Sequence, residues 1–242
     1  MEIKKVKGII VSDTNYSESS KILNVITNEY GKIGVLSKGC RNLKSNLRSF
    51  SMKLTYGYFH IYYKENGLST LIGVDIIDEF LNIKKDLKKI GYVTYLMDLT
   101  NQMLKEANSF EIFPILESAL LKINSGFDPI IITNIVELKY LSFLGVMPIL
   151  DKCAICGSNQ NIVTISSDYG GYICANCYKD EYIVDEKTTK LIRMFYYVDI
   201  SKIKELNIND RNKQEINKFL ECYYERYTGL YLKSKDFLAQ IK

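Results

Sequence analysis

The sequence contains a single histidine, His60, among its 242 residues. A Ser-His-Asp or Cys-His catalytic site would need that histidine, and no motif around it supports either kind of site. The chain also lacks the G-x-x-x-x-G-K-[ST] phosphate loop and the G-x-G-x-x-G dinucleotide turn. We therefore expect a protein that is not an enzyme and has no small-molecule substrate.

Long uninterrupted apolar runs are absent too. The most apolar window, residues 129–150, contains Asn134, Glu137 and Lys139, so it predicts a buried helix rather than a membrane span. The first seven residues include several charges and give no apolar core for a secretory signal. These features predict a cytoplasmic protein without a membrane partner, in which reduced cysteines favour metal ligation over disulfides.

Four of the six cysteines form two C-x₂-C pairs, Cys153/Cys156 and Cys174/Cys177, with 17 residues between the pairs. This spacing is typical of a four-thiolate zinc site, because one tight turn delivers both sulfurs of a pair to the same ion. The intervening pattern of strand, turn and strand predicts a small ribbon. Four thiolates leave no open coordination position, so we expect one structural Zn²⁺ rather than a catalytic one. Four unrelated structural thiols are the alternative.

Positive charge is concentrated in the N-terminal portion. Residues 1–64 carry eleven Lys and Arg against four acids, whereas the rest of the chain is near −3. This asymmetry favours a polyanion partner for the first domain, with an ordinary solvated surface as the alternative. The segment 32–53 holds six cations and no acid, which suits contacts to nucleic-acid phosphates. The predicted phosphate-binding residues are Lys32, Lys38, Arg41, Lys44, Arg48 and Lys53.

Residues 1–80 show the pattern of five short strands, at about 4–12, 21–27, 32–37, 51–63 and 68–77. Turn signals separate the strands, and no helical period is present. The pattern predicts a small closed barrel. The strand count makes an OB-type barrel the natural candidate, and an SH3-like barrel is the alternative.

Aromatic side chains in the fourth predicted strand fall on one face. Alternate positions bring together Tyr56, Tyr58, His60 and Tyr62. Such a face can stack unpaired bases, each contact contributing about 1–3 kcal/mol. An ordinary tyrosine-rich strand surface is the alternative interpretation.

From residue 82 the apolar period becomes helical. Helices are predicted over about 92–103, 110–123, 129–144, 186–197 and 211–228, with Asp128, Asp185 or Glu186, and Asp210 as caps. A basic amphipathic tail is predicted over 233–242. The sequence therefore predicts an α+β protein. An N-terminal five-stranded OB-type β-barrel at 1–80 is followed by an α-helical domain at 81–242 with an inserted Cys₄ zinc ribbon at about 148–184.

Three stretches resemble the RecO family of bacterial DNA repair proteins. Residues 30–39 are similar to the family's hairpin before its basic loop, 144–157 to its helix-to-zinc junction, and 232–238 to its C-terminal end. The resemblance covers essentially the whole chain and implies an OB-fold domain followed by a helical domain with a zinc finger. Because some family members lack the cysteines, the resemblance implies a structural role for the metal.

The resemblance also implies a function in DNA repair and recombination. Family members bind single- and double-stranded DNA and anneal complementary strands. With RecR they help load a RecA-type recombinase onto strands coated by single-strand-binding protein, whose C-terminal tail they bind. The implied location is the bacterial cytoplasm, in association with the nucleoid.

Three other interpretations stay open at this point. One is an RNA-binding or ribosome or transcription accessory protein, since OB barrels and zinc ribbons also serve there. A second is a protein-interaction scaffold with incidental barrel charge. A third is a zinc hydrolase, which would need fewer than four sulfur ligands.

Overall fold

The computed structural model describes residues 2–106, 109–230, 232, 234, 235 and 238. Its N-terminal strands are β1 (Glu2–Tyr16), β2 (Ser20–Thr27), β3 (Gly31–Ser37), β4 (Tyr56–Tyr63) and β5 (Ser69–Asp78). They close into a barrel in the order β1-β2-β3-β5-β4, in which β3 and β5 are parallel and the other pairs antiparallel. This order confirms the predicted OB-type barrel and excludes the SH3-like alternative.

The barrel forms because alternate apolar side chains point inward. Its core contains the fully buried Val6, Ile10, Leu23, Val35 and Phe59. The predicted hairpin between β2 and β3 is present: the backbone of Gly31 has a φ of 60°, which glycine adopts without strain.

The segment between β3 and β4, residues 38–55, is called here the β3–β4 loop. A strand was expected from residue 51, but β4 begins only at Tyr56. Residues 51–55 instead form turns, with Leu54 at a φ of 69°. The buried Ser51 hydroxyl lies 2.8 Å from both Ser37 Oγ and the Leu47 carbonyl oxygen. Together with Phe50, Leu47 packs against the barrel core, so the loop is anchored at one end of the barrel.

The C-terminal portion is helical. Its helices are α1 (Leu81–Lys84), α2 (Leu87–Glu106), α3 (Ile112–Asn124), α4 (Pro129–Phe143), α5 (Glu186–Tyr197) and α6 (Asp210–Tyr227). Three strands, β6 (Ile149–Cys153), β7 (Ile162–Ser166) and β8 (Gly171–Cys174), are inserted between α4 and α5. A 3₁₀ turn at Ile200–Lys202 precedes α6.

The helix caps were predicted with one error. Asp128 and Asp185 cap α4 and α5, each accepting a hydrogen bond from the backbone N–H two residues on. Asp210 does not cap α6. The cap is Asn209, whose side chain accepts from the Asn212 N–H because Asn209 is extended and Asp210 is already helical. The predicted tail over 233–242 lies mostly outside the described residues.

Helix α4 is the centre of the helical portion, packed by α2, α3, α5 and α6. Its apolar side chains are buried on all sides of the helix. This confirms the buried helix that the apolar window 129–150 predicted. Among the described helices, none is long and apolar enough to cross a membrane.

Barrel and helices meet in a packed junction. The ring of Tyr56 in β4 stacks on that of Phe80, with centroids 5.6 Å apart. Tyr56 donates a hydrogen bond from its hydroxyl to the Glu117 carboxylate of α3, which also pairs with Lys7. The junction is therefore held by apolar, polar and ionic contacts together.

Candidate nucleic-acid interface and metal centre

The four predicted metal ligands lie together at one end of the inserted ribbon. Cys153 ends β6 and Cys174 ends β8, and each begins a short turn that carries the second cysteine of its pair. Their sulfur atoms all lie within 4.8 Å of one another. The Gly157 N–H donates to the Cys153 carbonyl at 2.9 Å and closes the first turn. Strands β7 and β8 confirm the predicted ribbon, to which β6 adds a third strand through parallel pairing with β8.

The donor set fits a divalent metal ion. The sulfurs of Cys156 and Cys174 are 3.6 Å apart, close to the roughly 3.8 Å between ligands of a tetrahedral Zn²⁺–thiolate site with 2.3 Å bonds. Burial opposes ionisation of Cys153, but hydrogen bonds from backbone groups of Cys156 and Cys174 lower its pKa to about 6. Four thiolates this close repel one another strongly, so a cation is what allows them to ionise together.

The β3–β4 loop brings together five of the six predicted phosphate-binding cations. All five side chains are exposed: Lys38, Arg41, Lys44, Arg48 and Lys53. The loop lies beside the β1–β2 loop, because the Arg41 N–H donates to the Ser19 carbonyl at 2.8 Å and its guanidinium donates to the Ser17 carbonyl at 3.2 Å. The β1–β2 loop is one of the regions that OB folds use to bind oligonucleotides.

Three barrel cations outside the loop have carboxylate partners. Lys5 pairs with Asp75, Lys7 with Glu117 and Lys21 with Asp13. Within the described part of the chain, none of the five loop cations forms a salt bridge. Their charge is not neutralised by those residues and is available to an external anion.

The sixth predicted cation, Lys32, lies apart from the loop. It is half-buried on β3, and its ammonium group donates to Asn101 Oδ1 of α2 at 3.3 Å. Burial lowers the pKa of Lys32, and the nearby Lys105 ammonium lowers it further. Lys32 therefore faces the helical portion rather than the open surface around the loop.

The predicted aromatic face is only partly available. Tyr58 and Tyr62 are exposed on the outer face of β4, with His60 between them. Tyr56 points to the same side but is buried against Phe80, so it cannot stack on a base. Tyr58 also lies under the Lys5 ammonium, 4.9 Å from its ring centroid.

Sequence reasoning missed two groups of residues. One is the anchor of the loop, formed by Leu47, Phe50 and Ser51, which no short-range period marks. The other is a run of cations over residues 84–89 at the start of the helical portion, which was visible as a charge cluster but lay outside the basic segment 32–53.

Comparisons with known proteins agree with the resemblance seen in the sequence. The family described as "Recombination protein O N terminal" matches residues 1–80, and "Recombination protein O C terminal" matches residues 84–236. The chain is 36% identical to the DNA repair protein RecO of Listeria monocytogenes serotype 4b over 99% of this chain and 95% of that protein. It is 37% identical to the RecO of Bacillus pumilus over 98% and 94% of the two chains, and 34% identical to that of Halalkalibacterium halodurans over 98% and 95%. The chain therefore belongs to the RecO family of DNA repair proteins.

Proposed function

We propose that this protein acts in DNA repair and homologous recombination by binding single- and double-stranded DNA and annealing complementary strands. The observation that carries this proposal is the β3–β4 loop, whose five exposed cations lack salt-bridge partners among the described residues and lie beside the β1–β2 loop of an OB barrel. The relatives' name, DNA repair protein, favours DNA over RNA as the polyanion.

The mechanism follows from what lysine and arginine can contact. Long cationic side chains on a loop bind phosphates without reading the bases. A strand held by its backbone keeps its base edges free, so a complementary strand can pair with it while it stays bound. Exposed Tyr58 and Tyr62 offer additional stacking surfaces on the neighbouring face of the barrel.

The metal has a structural role in this proposal. Cys153, Cys156, Cys174 and Cys177 would hold one Zn²⁺ that ties β6 to β8 and closes the open end of the ribbon. Since four sulfurs fill a tetrahedral site, the metal would supply cross-linking and no hydrolytic chemistry. No step of the proposed function requires catalysis.

The protein partners come from the family resemblance alone. We propose RecR, a RecA-type recombinase and the C-terminal tail of single-strand-binding protein as partners. The helical portion would bind the tail. The same resemblance supports a cytoplasmic, nucleoid-associated protein.

The proposal is tested by strand annealing. Two complementary DNA strands coated with bacterial single-strand-binding protein are mixed with the protein, and duplex formation is followed by fluorescence. We expect the wild-type protein to accelerate duplex formation and the R41E/K44E/R48E variant to fail. The control is a K187E/K190E/K218E variant, which reverses three exposed cations on α5 and α6. It is compared with R41E/K44E/R48E on uncoated strands, where binding of the single-strand-binding-protein tail plays no part. Equal rates with and without wild-type protein, or faster annealing of matched RNA than of DNA, would contradict the proposal.

A further inference from the structure

A second group of cations lies at the start of the helical portion. Lys84 ends α1, Lys85 follows it, and Lys88 and Lys89 are in the first turn of α2. Three of them are exposed and Lys89 is half-buried. No described residue forms a salt bridge or accepts a side-chain hydrogen bond from any of these four, which are called here the lysine cluster.

Two members of the lysine cluster, Lys88 and Lys89, are unfavourable for α2, the helix that carries them. The N-terminus of a helix is the positive end of its dipole, where acidic side chains are stabilising and cations are not. Helix α2 has no acidic residue in its first turn. Asp86, which lies between the two lysine pairs, caps the helix by accepting from the Lys89 backbone N–H at 3.1 Å. This concentration of charge occurs in a portion of the chain whose net charge, over residues 65–242, is negative.

The cluster and the Lys53 end of the β3–β4 loop each lie a few residues from the same barrel–helix contact. Lys53 is three residues before Tyr56, and Lys84 is four residues after Phe80, whose ring stacks on that of Tyr56. Leu54, next to Lys53, packs against the core of the helical portion. One member of each cationic group, Lys53 and Lys84, is thus within four residues of this packed contact.

We propose that Lys84, Lys85, Lys88 and Lys89 bind the phosphates of a second nucleic-acid strand, next to the strand bound by the β3–β4 loop. This inference rests on the proposed function and adds a second contact to it. The four lysines carry four positive charges within six residues, and a nucleic-acid strand presents several phosphates in succession. The cluster therefore matches a polymer of phosphates better than a single small anion.

Two strands on one protein explain how binding leads to annealing. Two nucleic-acid strands repel each other because both backbones carry negative phosphates. Two cationic groups on one protein offset that repulsion and leave the bases free to pair. Helix α2 and the barrel are held together at the junction, so the two groups keep a fixed separation.

The test compares two readouts in a K84Q/K85Q/K88Q/K89Q variant. The first is the affinity for one single strand of about ten nucleotides, a length that a single OB fold can hold. The second is the annealing rate of two complementary strands. We expect short-strand affinity within about twofold of wild type and annealing slowed by about tenfold or more, because phosphate contacts to the second strand are lost. The matched control, K179Q/K187Q/K190Q/K218Q, removes four exposed cations from the ribbon, α5 and α6 and should anneal normally.

Annealing at the wild-type rate by the quadruple variant would overturn the inference. The R41E/K44E/R48E variant is measured in parallel to separate this failure from failure of the proposed function. Loss of short-strand binding in R41E/K44E/R48E supports the proposed function, whereas binding at the wild-type level refutes it. Thermal unfolding checks the fold: we expect the quadruple variant to be close to wild type in stability, since it removes cations from the N-terminus of α2 and from the C-terminus of α1, with opposite effects on the two helices. A K88Q/K89Q variant should show an intermediate annealing rate, and a wild-type rate in it would also count against the cluster.

Discussion

Lys7 of β1 and Glu117 of α3 form a salt bridge of 2.5 Å across the junction between barrel and helices. Glu117 also accepts a hydrogen bond from the Tyr56 hydroxyl. Burial and the bond to Glu117 raise the pKa of Tyr56 to about 12, so its hydroxyl stays protonated and donates. One carboxylate thus joins two strands of the barrel to the helical portion.

Replacing Glu117 with alanine should weaken this junction. The substitution leaves the Lys7 ammonium and the Tyr56 hydroxyl without their shared acceptor, and we expect the free energy of unfolding to fall by about 1–2 kcal/mol. Urea unfolding measures the change. Glu225→Ala, at an exposed glutamate of α6, is the matched control and should be close to neutral. Equal stability of the Glu117→Ala variant and wild type would show that the contact does not hold the junction.

Glu137 of α4 should make stability depend on pH. Burial raises the pKa of this carboxyl to about 7, although the Tyr95 hydroxyl, donating at 2.5 Å, and the Lys235 ammonium lower it. The folded protein therefore keeps the Glu137 proton up to about pH 7, whereas the unfolded chain releases it near 4.5. Between these values the folded state binds more protons, so this residue makes stability fall as pH rises from about 4.5 to 7.

A Glu137→Gln variant tests that dependence. The amide cannot ionise but can still accept from Tyr95, so the variant should be more stable than wild type by about 3 kcal/mol at pH 8 and similar to it at pH 4. Urea unfolding at several pH values supplies the comparison, with Glu225→Gln as the control at an exposed site. Parallel stability curves for wild type and Glu137→Gln would refute the assignment.

The cysteine cluster should bind one metal ion per chain. We expect elemental analysis of the purified protein to find about one zinc, lost in a C153S/C156S variant because two of four thiolates are removed. Loss of the metal should release the β6–β8 ribbon to proteolysis while the barrel stays folded. Cys222→Ser removes an exposed cysteine outside the cluster and should keep the metal. Full zinc occupancy in the double-serine variant would contradict the assignment.

Much of this architecture could be predicted from local sequence patterns. The period of two on β4 sets Phe59 and Ile61 on the face opposite Tyr58 and Tyr62, and both are buried in the barrel core. The C-x₂-C spacing picked out the four cysteines whose sulfurs the fold brings together. Each of these signals depends on neighbours a few residues apart, which a sequence displays directly.

The errors came from contacts between distant residues. Alternation on β4 cannot show that Phe80 covers Tyr56, because the covering ring lies 24 positions away. Composition groups Lys32 with the loop cations, but tertiary packing turns its ammonium group towards Asn101. Its contact with a phosphate stays a prediction. Strand β4 begins later than predicted for the same reason. Leu47 and Phe50 pack on the barrel, and residues 51–55, between them and β4, form turns.

The central claim is that the β3–β4 loop binds nucleic-acid phosphates, and the salt dependence of single-strand binding tests it most directly. Affinity for a fluorescent DNA strand is measured at several salt concentrations for wild type, R41E/K44E/R48E and the control K187E/K190E/K218E. We predict weaker binding by the loop variant and a shallower slope of log affinity against log salt, by about 0.7 for each lost phosphate contact. Unchanged affinity and slope in the loop variant would contradict the claim.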